Sequence, residues 1–356
     1  MTNINLWTYG VFDIIDTRLF FVPYGLNKLC IYDLRCKLVV DFVDLPDAIN
    51  NRVSSVSVKA WGIFIVVIPA YSQWICVYDT LTGKLSSYSS INPNNSVIPR
   101  GERYLHGYIW ENRLYLTPLY DCGIICLERI DNDVVVSRPF ENHLKDVINC
   151  AVVGDSVFFS DMTDVITQFD LITHNRKEYY KDMNGLKIQA LCVGGDNLFF
   201  SDVNGHLYCV CMSNRENNSR EDVFDCRVQI SNFLHIDDCL YLFPTKGDSI
   251  IKYDLKNKND QIIVMHPQTK TNTWNGASFS FSKNMEGVIY VMNTAYECLC
   301  IYDTRTGRID YDYVMLPQKC YCFVEDIFKR EYKSSVLIEG EYPFASLDNW
   351  IDACVN

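Results

Sequence analysis

The sequence predicts an all-β chain folded as a seven-bladed β-propeller of four-stranded antiparallel blades, with a short C-terminal helical tail. Two observations carry this. A short motif of apolar, β-branched and aromatic residues ending in an acid recurs along the chain at propeller-blade spacing. Each copy also sits between a second β-rich run and a tight-turn signature, and helical periodicity is confined to the last residues.

The motif is plainest in Leu29-Cys30-Ile31-Tyr32-Asp33, Ile75-Cys76-Val77-Tyr78-Asp79 and Leu299-Cys300-Ile301-Tyr302-Asp303. Ile166-Thr167-Gln168-Phe169-Asp170 and Ile250-Ile251-Lys252-Tyr253-Asp254 are close relatives, and weaker copies end at Glu128 and Met212. From Asp33 to Asp303 there are 270 residues in six intervals, a mean of 45. Ahead of each copy lies a β-rich run, such as Leu19 to Val22, Ile63 to Ile68 or Leu240 to Phe243. Ahead of that lies a further strand candidate, such as Val53 to Val58 or Ile188 to Val193. After the motif comes a turn, plainest in Asp79-Thr80-Leu81-Thr82-Gly83-Lys84. Its Asp can accept from the turn backbone, and its Gly tolerates positive φ. One four-stranded sheet cannot cover both its faces; seven arranged radially can. A six-bladed ring, with one weak repeat displaced into closure strands, is the alternative. The propeller is assigned to residues 1–317. Residues 318–356 are assigned to a strand and helix packed on it, because Leu347, Trp350, Ile351 and Cys354 recur at helical spacing, with Ser346 or Asp348 as the cap.

These units resemble β-propeller repeats of the kelch-like and YVTN-like kinds, and the chain is similar to uncharacterised bacterial propeller proteins. Phe158-Phe159-Ser160-Asp161 and Phe199-Phe200-Ser201-Asp202 resemble YWTD repeats. The resemblance implies an architecture and leaves the activity open, since propellers host both binders and enzymes.

Composition narrows the partners. There are 44 acidic and 32 basic residues in 356, a net charge of −12. That field repels phosphate and argues against nucleic-acid binding. The longest apolar run, Gly62 to Ile68, is far below bilayer-spanning length, so no membrane insertion is expected. With no secretory signal pattern at the N-terminus, the 16 cysteines read as free thiols of a cytoplasmic protein. Cys30, Cys76, Cys209 and Cys300 stand three residues before their repeat ends and are read as packing between blades. Cys298-x-Cys300 with Cys320-x-Cys322 falls short of the usual zinc spacing, and the six histidines occupy inequivalent places. No metal or cofactor is expected. Neither a G-x-S-x-G elbow nor a phosphate-cradling Gly loop occurs, and catalytic residues stay unassigned.

The connections between second and third strands share one rim with the long inter-blade connections, and functional residues concentrate on such loops. Aromatic Tyr24, Tyr71, Tyr120, Trp274 and Tyr296, with Asp161 and Asp202, are the candidate partner-binding residues there. The favoured function is a non-catalytic recognition scaffold for a protein, peptide or glycan-bearing partner on this rim. The alternative is an enzyme, a lyase or hydrolase acting on a sugar at the ring axis.

Overall fold

The computed structural model describes residues 11–23, 27–46, 55–69, 72–89, 104–118, 122–130, 133–144, 149–160, 163–181, 187–213, 221–245, 247, 249–265, 279–293 and 298–314. These form seven four-stranded antiparallel sheets, each a meander of four consecutive strands. Blades 1 to 7 cover residues 13–44, 55–89, 104–144, 149–181, 188–225, 230–264 and 279–312. The ring is a seven-bladed propeller, so the six-bladed alternative is set aside. The 318–356 tail lies outside the described residues.

The first strand of each blade is innermost, and from blade 1 to blade 7 consecutive first strands lie close to one another. Second and third strands carry the most continuous apolar runs because they are buried on both faces. Ile65 to Ile68 and Leu240 to Phe243 are all nearly inaccessible. Fourth strands face water and alternate, as in Leu38–Asp44. The core is therefore seven clusters, one between each pair of neighbours. That between blades 7 and 1 unites Phe12, Leu19, Cys30 and Tyr32 with Met292, Leu299 and Val314.

The repeating motif has a physical reading. Its Asp accepts from the backbone of the following turn: Asp79 Oδ1 takes the amides of Leu81 at 2.8 Å and Thr82 at 3.2 Å. Asp33, Asp170, Asp254 and Asp303 do the same. The Tyr before it reaches the fourth strand of the preceding blade. Tyr253 donates to the Val223 carbonyl at 3.1 Å, and Tyr32 donates to Asp312. On the axial side, Trp61 Nε1 donates to the Asn112 carbonyl at 2.7 Å and Trp110 Nε1 to Asp155 at 3.0 Å, each one blade onward.

The weak copy in blade 5 requires a correction. In blades 1 and 4 the residue after the repeat end donates its amide to the first hairpin, as Leu34 does to Thr17 and Leu171 to Asp155. In blade 5 that donor is Met212, to Asp196, so the repeat ends at Cys211. A shift of one residue exchanges faces in a strand. Tyr208, not Cys209, is thus the counterpart of Cys30, Cys76 and Cys300. Tyr208 packs toward blade 4 and Cys209 toward blade 6. All four cysteines are still packing residues, and the twelve cysteines whose side chains are described are free thiols. Burial pushes the Cys76 and Cys209 thiols up to about 11.

The turn aspartates also set acid sensitivity. Turn amides hold all five carboxyls below the ordinary value of 3.8, the largest contributions coming from Arg35, Leu81, Thr173, Asn257 and Arg305. A carboxyl with a depressed folded pKa stabilises fully above its unfolded value and loses that contribution as pH falls through the folded one. Thermal stability should therefore drop progressively below about pH 4. A variant with Asp79→Asn and Asp303→Asn should show a smaller drop between neutral and acid pH. An identical acid profile in scanning calorimetry would show that other groups control it.

Candidate functional site

Two groups of polar side chains stand out among the described residues, one on the loop rim and one at the axis. The rim group belongs to blade 5. Its second strand ends at Asp202 and its third begins at His206, joined by Val203-Asn204-Gly205. Asp202 is fully buried because the turn closes over it. Its Oδ1 accepts from the amides of Asn204 at 2.8 Å and His206 at 2.9 Å. Its Oδ2 lies 3.1 Å from His206 Nδ1 and 3.4 Å from the Tyr208 hydroxyl. On the other side, His206 Nε2 is 3.7 Å from Asp225. The result is a half-exposed imidazole held between an inner and an outer carboxylate. Its half-exposed ring is within reach of a hydrogen-bonding neighbour at the rim.

Gly205 makes this turn possible. Its φ is +92°, and a Cβ there would stand 2.1 Å from the Val228 carbonyl oxygen. Gly205 also takes part in the chain's own pairing, accepting from Cys226 at 3.0 Å. Only glycine meets both demands.

Of the seven residues predicted for the rim, Asp202 is the one described: its carboxylate is buried beneath the turn and lies against the His206 ring. Tyr24, Tyr71, Tyr120, Asp161, Trp274 and Tyr296 lie outside the described residues. Lys28, the first residue of blade 1's third strand, is paired with Asp44, its ammonium over the Phe42 ring.

The axial group escapes sequence reading. Strand pairing puts Asp13, Lys59, Tyr108, Ala151, Cys192, Leu234 and Lys283 at one equivalent position, two residues before the end of each innermost strand. Asp13 is 1% exposed. It accepts from the Ile14 and Ala60 amides, each at 2.9 Å. Lys283 of blade 7 stands 2.6 Å from Asp13 Oδ1, and Lys59 of blade 2 stands 3.8 Å from Oδ2. One carboxylate thus faces two ammonium groups across three blades. Beyond this level, the turns joining first and second strands carry seven acids and no base, counting residues 16–17, 62–63, 111–112, 154–155, 195–196, 237–238 and 286–287. Among the described residues, no group of three or more His, Cys, Asp or Glu side chains is placed so that it could hold a metal ion. No helix among the described residues is long and apolar enough to cross a membrane.

Fold and site together define a seven-bladed β-propeller protein with a polar rim and a charged axis. Among solved structures it is similar to the computationally designed Ika8 protein, a designed propeller, with TM-score 0.55, 8% identity and 86% of each chain covered. At that identity the likeness is one of fold. No family model matches the chain, and no curated protein matches it in sequence.

Proposed function

We propose that this propeller is a non-catalytic recognition scaffold, binding a protein, peptide or glycan-bearing partner at the rim where second-to-third-strand and inter-blade connections gather. Its blades are read as kelch-like or YVTN-like, and its setting as the cytoplasm, in keeping with the twelve free thiols among the described side chains. The observation that carries the reading is the construction of the rim in blade 5. There a buried Asp202 and a glycine-dependent turn hold His206 rigidly at the surface, where recognition gains from preorganisation. The alternative, a lyase or hydrolase acting on a sugar at the axis, draws less support. Such chemistry usually needs paired carboxylates, and the described axial group is one carboxylate salt-bridged to two lysines.

In this reading Tyr24, Tyr71, Tyr120, Trp274 and Tyr296 are anchors, and Asp161 guides association. Partner capture from native extract followed by binding kinetics tests it. Tyr71→Ala and Tyr120→Ala should each weaken binding by about 1 kcal/mol or more, mainly through faster dissociation. Asp161→Asn should slow association at low salt and matter less at high salt. Unchanged rates in all three variants would move the site to the opposite face.

A further inference from the structure

We propose that His206 and Asp225, at the rim edge of blade 5, form a surface site for a divalent transition-metal ion of the zinc, copper and nickel group. The first argument is placement. His206 and Asp225 are cross-strand partners on the third and fourth strands, so the ladder sets their side chains on one face. They stand 19 positions apart in the sequence, so no short motif marks them. His206 Nε2 is 3.7 Å from Asp225 Oδ1, too far for a hydrogen bond. A tetrahedral ion with bonds of about 2.0–2.2 Å holds neighbouring ligands about 3.4 Å apart, so one ion reaches both atoms after a closure of about 0.3 Å. Both side chains are nearly half exposed, so an ion reaches them directly from solvent.

The second argument is the chemistry of the ring. Asp202 Oδ2 lies 3.1 Å from His206 Nδ1 and can only accept, which puts the ring proton on Nδ1. The Nε2 lone pair then faces Asp225. Metal-binding histidines are commonly held this way, with a carboxylate on the far nitrogen. Asp202 cannot share the ion, because it sits on that far nitrogen and its Oδ1 takes the Asn204 and His206 amides. Asp225 is fixed as well: its Oδ1 accepts the Arg227 amide at 3.0 Å and keeps a second lone pair. The chain thus offers two ligands, one nitrogen and one carboxylate, and Asp202 is a positioning residue. This donor set selects the metal. Imidazole suits zinc, copper and nickel, whereas calcium and magnesium take oxygen ligands.

The third argument is charge. Asp202 and Asp225 outnumber the base beside them, Arg227, whose Nε is 3.7 Å from Asp225 Oδ2. A divalent cation offsets that excess, and a chain of net charge −12 draws cations to its surface. The remaining positions on the ion fall to water or to a ligand carried by a partner, so the site stands whether or not the rim binds one. The rival account is a plain surface ion pair, with the ring bridging two carboxylates.

The test uses the full chain with zinc chloride as probe and magnesium chloride as control. Acylation of His206 by diethyl pyrocarbonate, read by peptide mass spectrometry, reports the ring itself and is blind to zinc held by thiols elsewhere. Saturating zinc should slow it at least tenfold, and magnesium should leave it unchanged. Asp225→Asn, at a half-exposed position, should raise the half-protecting zinc concentration about tenfold or more. Asp202→Asn should raise it about 10–100-fold by releasing the ring. Zinc should also raise the melting temperature, and His206→Gln should lessen that rise. Undiminished acylation of His206 at millimolar zinc would overturn the proposal and favour the ion pair. Equal protection by magnesium would overturn it too, as would protection by zinc that Asp225→Asn leaves unaltered.

Discussion

Gly205→Ala should unfold the propeller at markedly lower urea, with a loss of about 3 kcal/mol or more. Two separate costs combine there. A φ of +92° is unfavourable for any residue with a Cβ, and the added methyl would stand 2.1 Å from a backbone oxygen that belongs to the same blade's exit. Backbone cannot step aside as a flexible side chain can. Either the turn opens and releases Asp202 from the His206 amide, or the Val228 segment moves and releases Cys226. Gly62→Ala is the matched control. Gly62 also has positive φ, +59°, but nothing lies within 4 Å of an added Cβ. It should cost only about 1 kcal/mol. Equal urea midpoints for the two variants would show that the close approach to Val228 is relieved at little cost.

Tyr32→Ala should be comparably damaging, at about 4 kcal/mol. Tyr32 is wholly buried in the cluster shared by blades 7 and 1, and its hydroxyl donates to Asp312. Burial, then the Asp312 bond and charge, raise the phenol far above its ordinary pKa, so it stays a donor at any working pH. Tyr32→Phe separates the two contributions. It keeps the ring and removes the donor, leaving the Asp312 carboxylate with Lys37 at 3.6 Å, and should cost about 1–3 kcal/mol. Chemical denaturation of both variants measures the difference. If the two variants are equally unstable, the hydrogen bond rather than the ring closes this interface.

Much of the architecture is legible because its signals are local. A Tyr-Asp pair followed by a turn encodes, within six residues, both the turn acceptor and the contact to the preceding blade. Blade 5 misleads because its copy has no Asp: Cys211 fills the place, and Met212 is the nearest match to the apolar pattern. The axial lysines are illegible for a different reason. Lys59 and Lys283, 224 positions apart in the sequence, acquire meaning only when the fold brings their strands to either side of Asp13. Reading the blade 2 strand as Val53 to Val58 stops one residue short of Lys59, which lies inside Ser55–Trp61. Asp202 was legible as a special residue in a turn, but its burial was not, because it depends on Gly205 letting the chain fold back over the carboxylate.

Among the described residues every blade is one unbroken meander, and blades 7 and 1 share no sheet. There, among the same residues, the circle is joined by side chains, through Tyr32 to Asp312, Lys283 to Asp13 and the apolar cluster between them. Mechanically this is a split washer rather than a welded ring. Tension applied between the first and last blades loads that joint before it loads any ladder of backbone hydrogen bonds. The ring should therefore yield in two stages, opening first at low force into a curved ribbon of seven intact sheets, and only then surrendering the sheets one at a time from the ends.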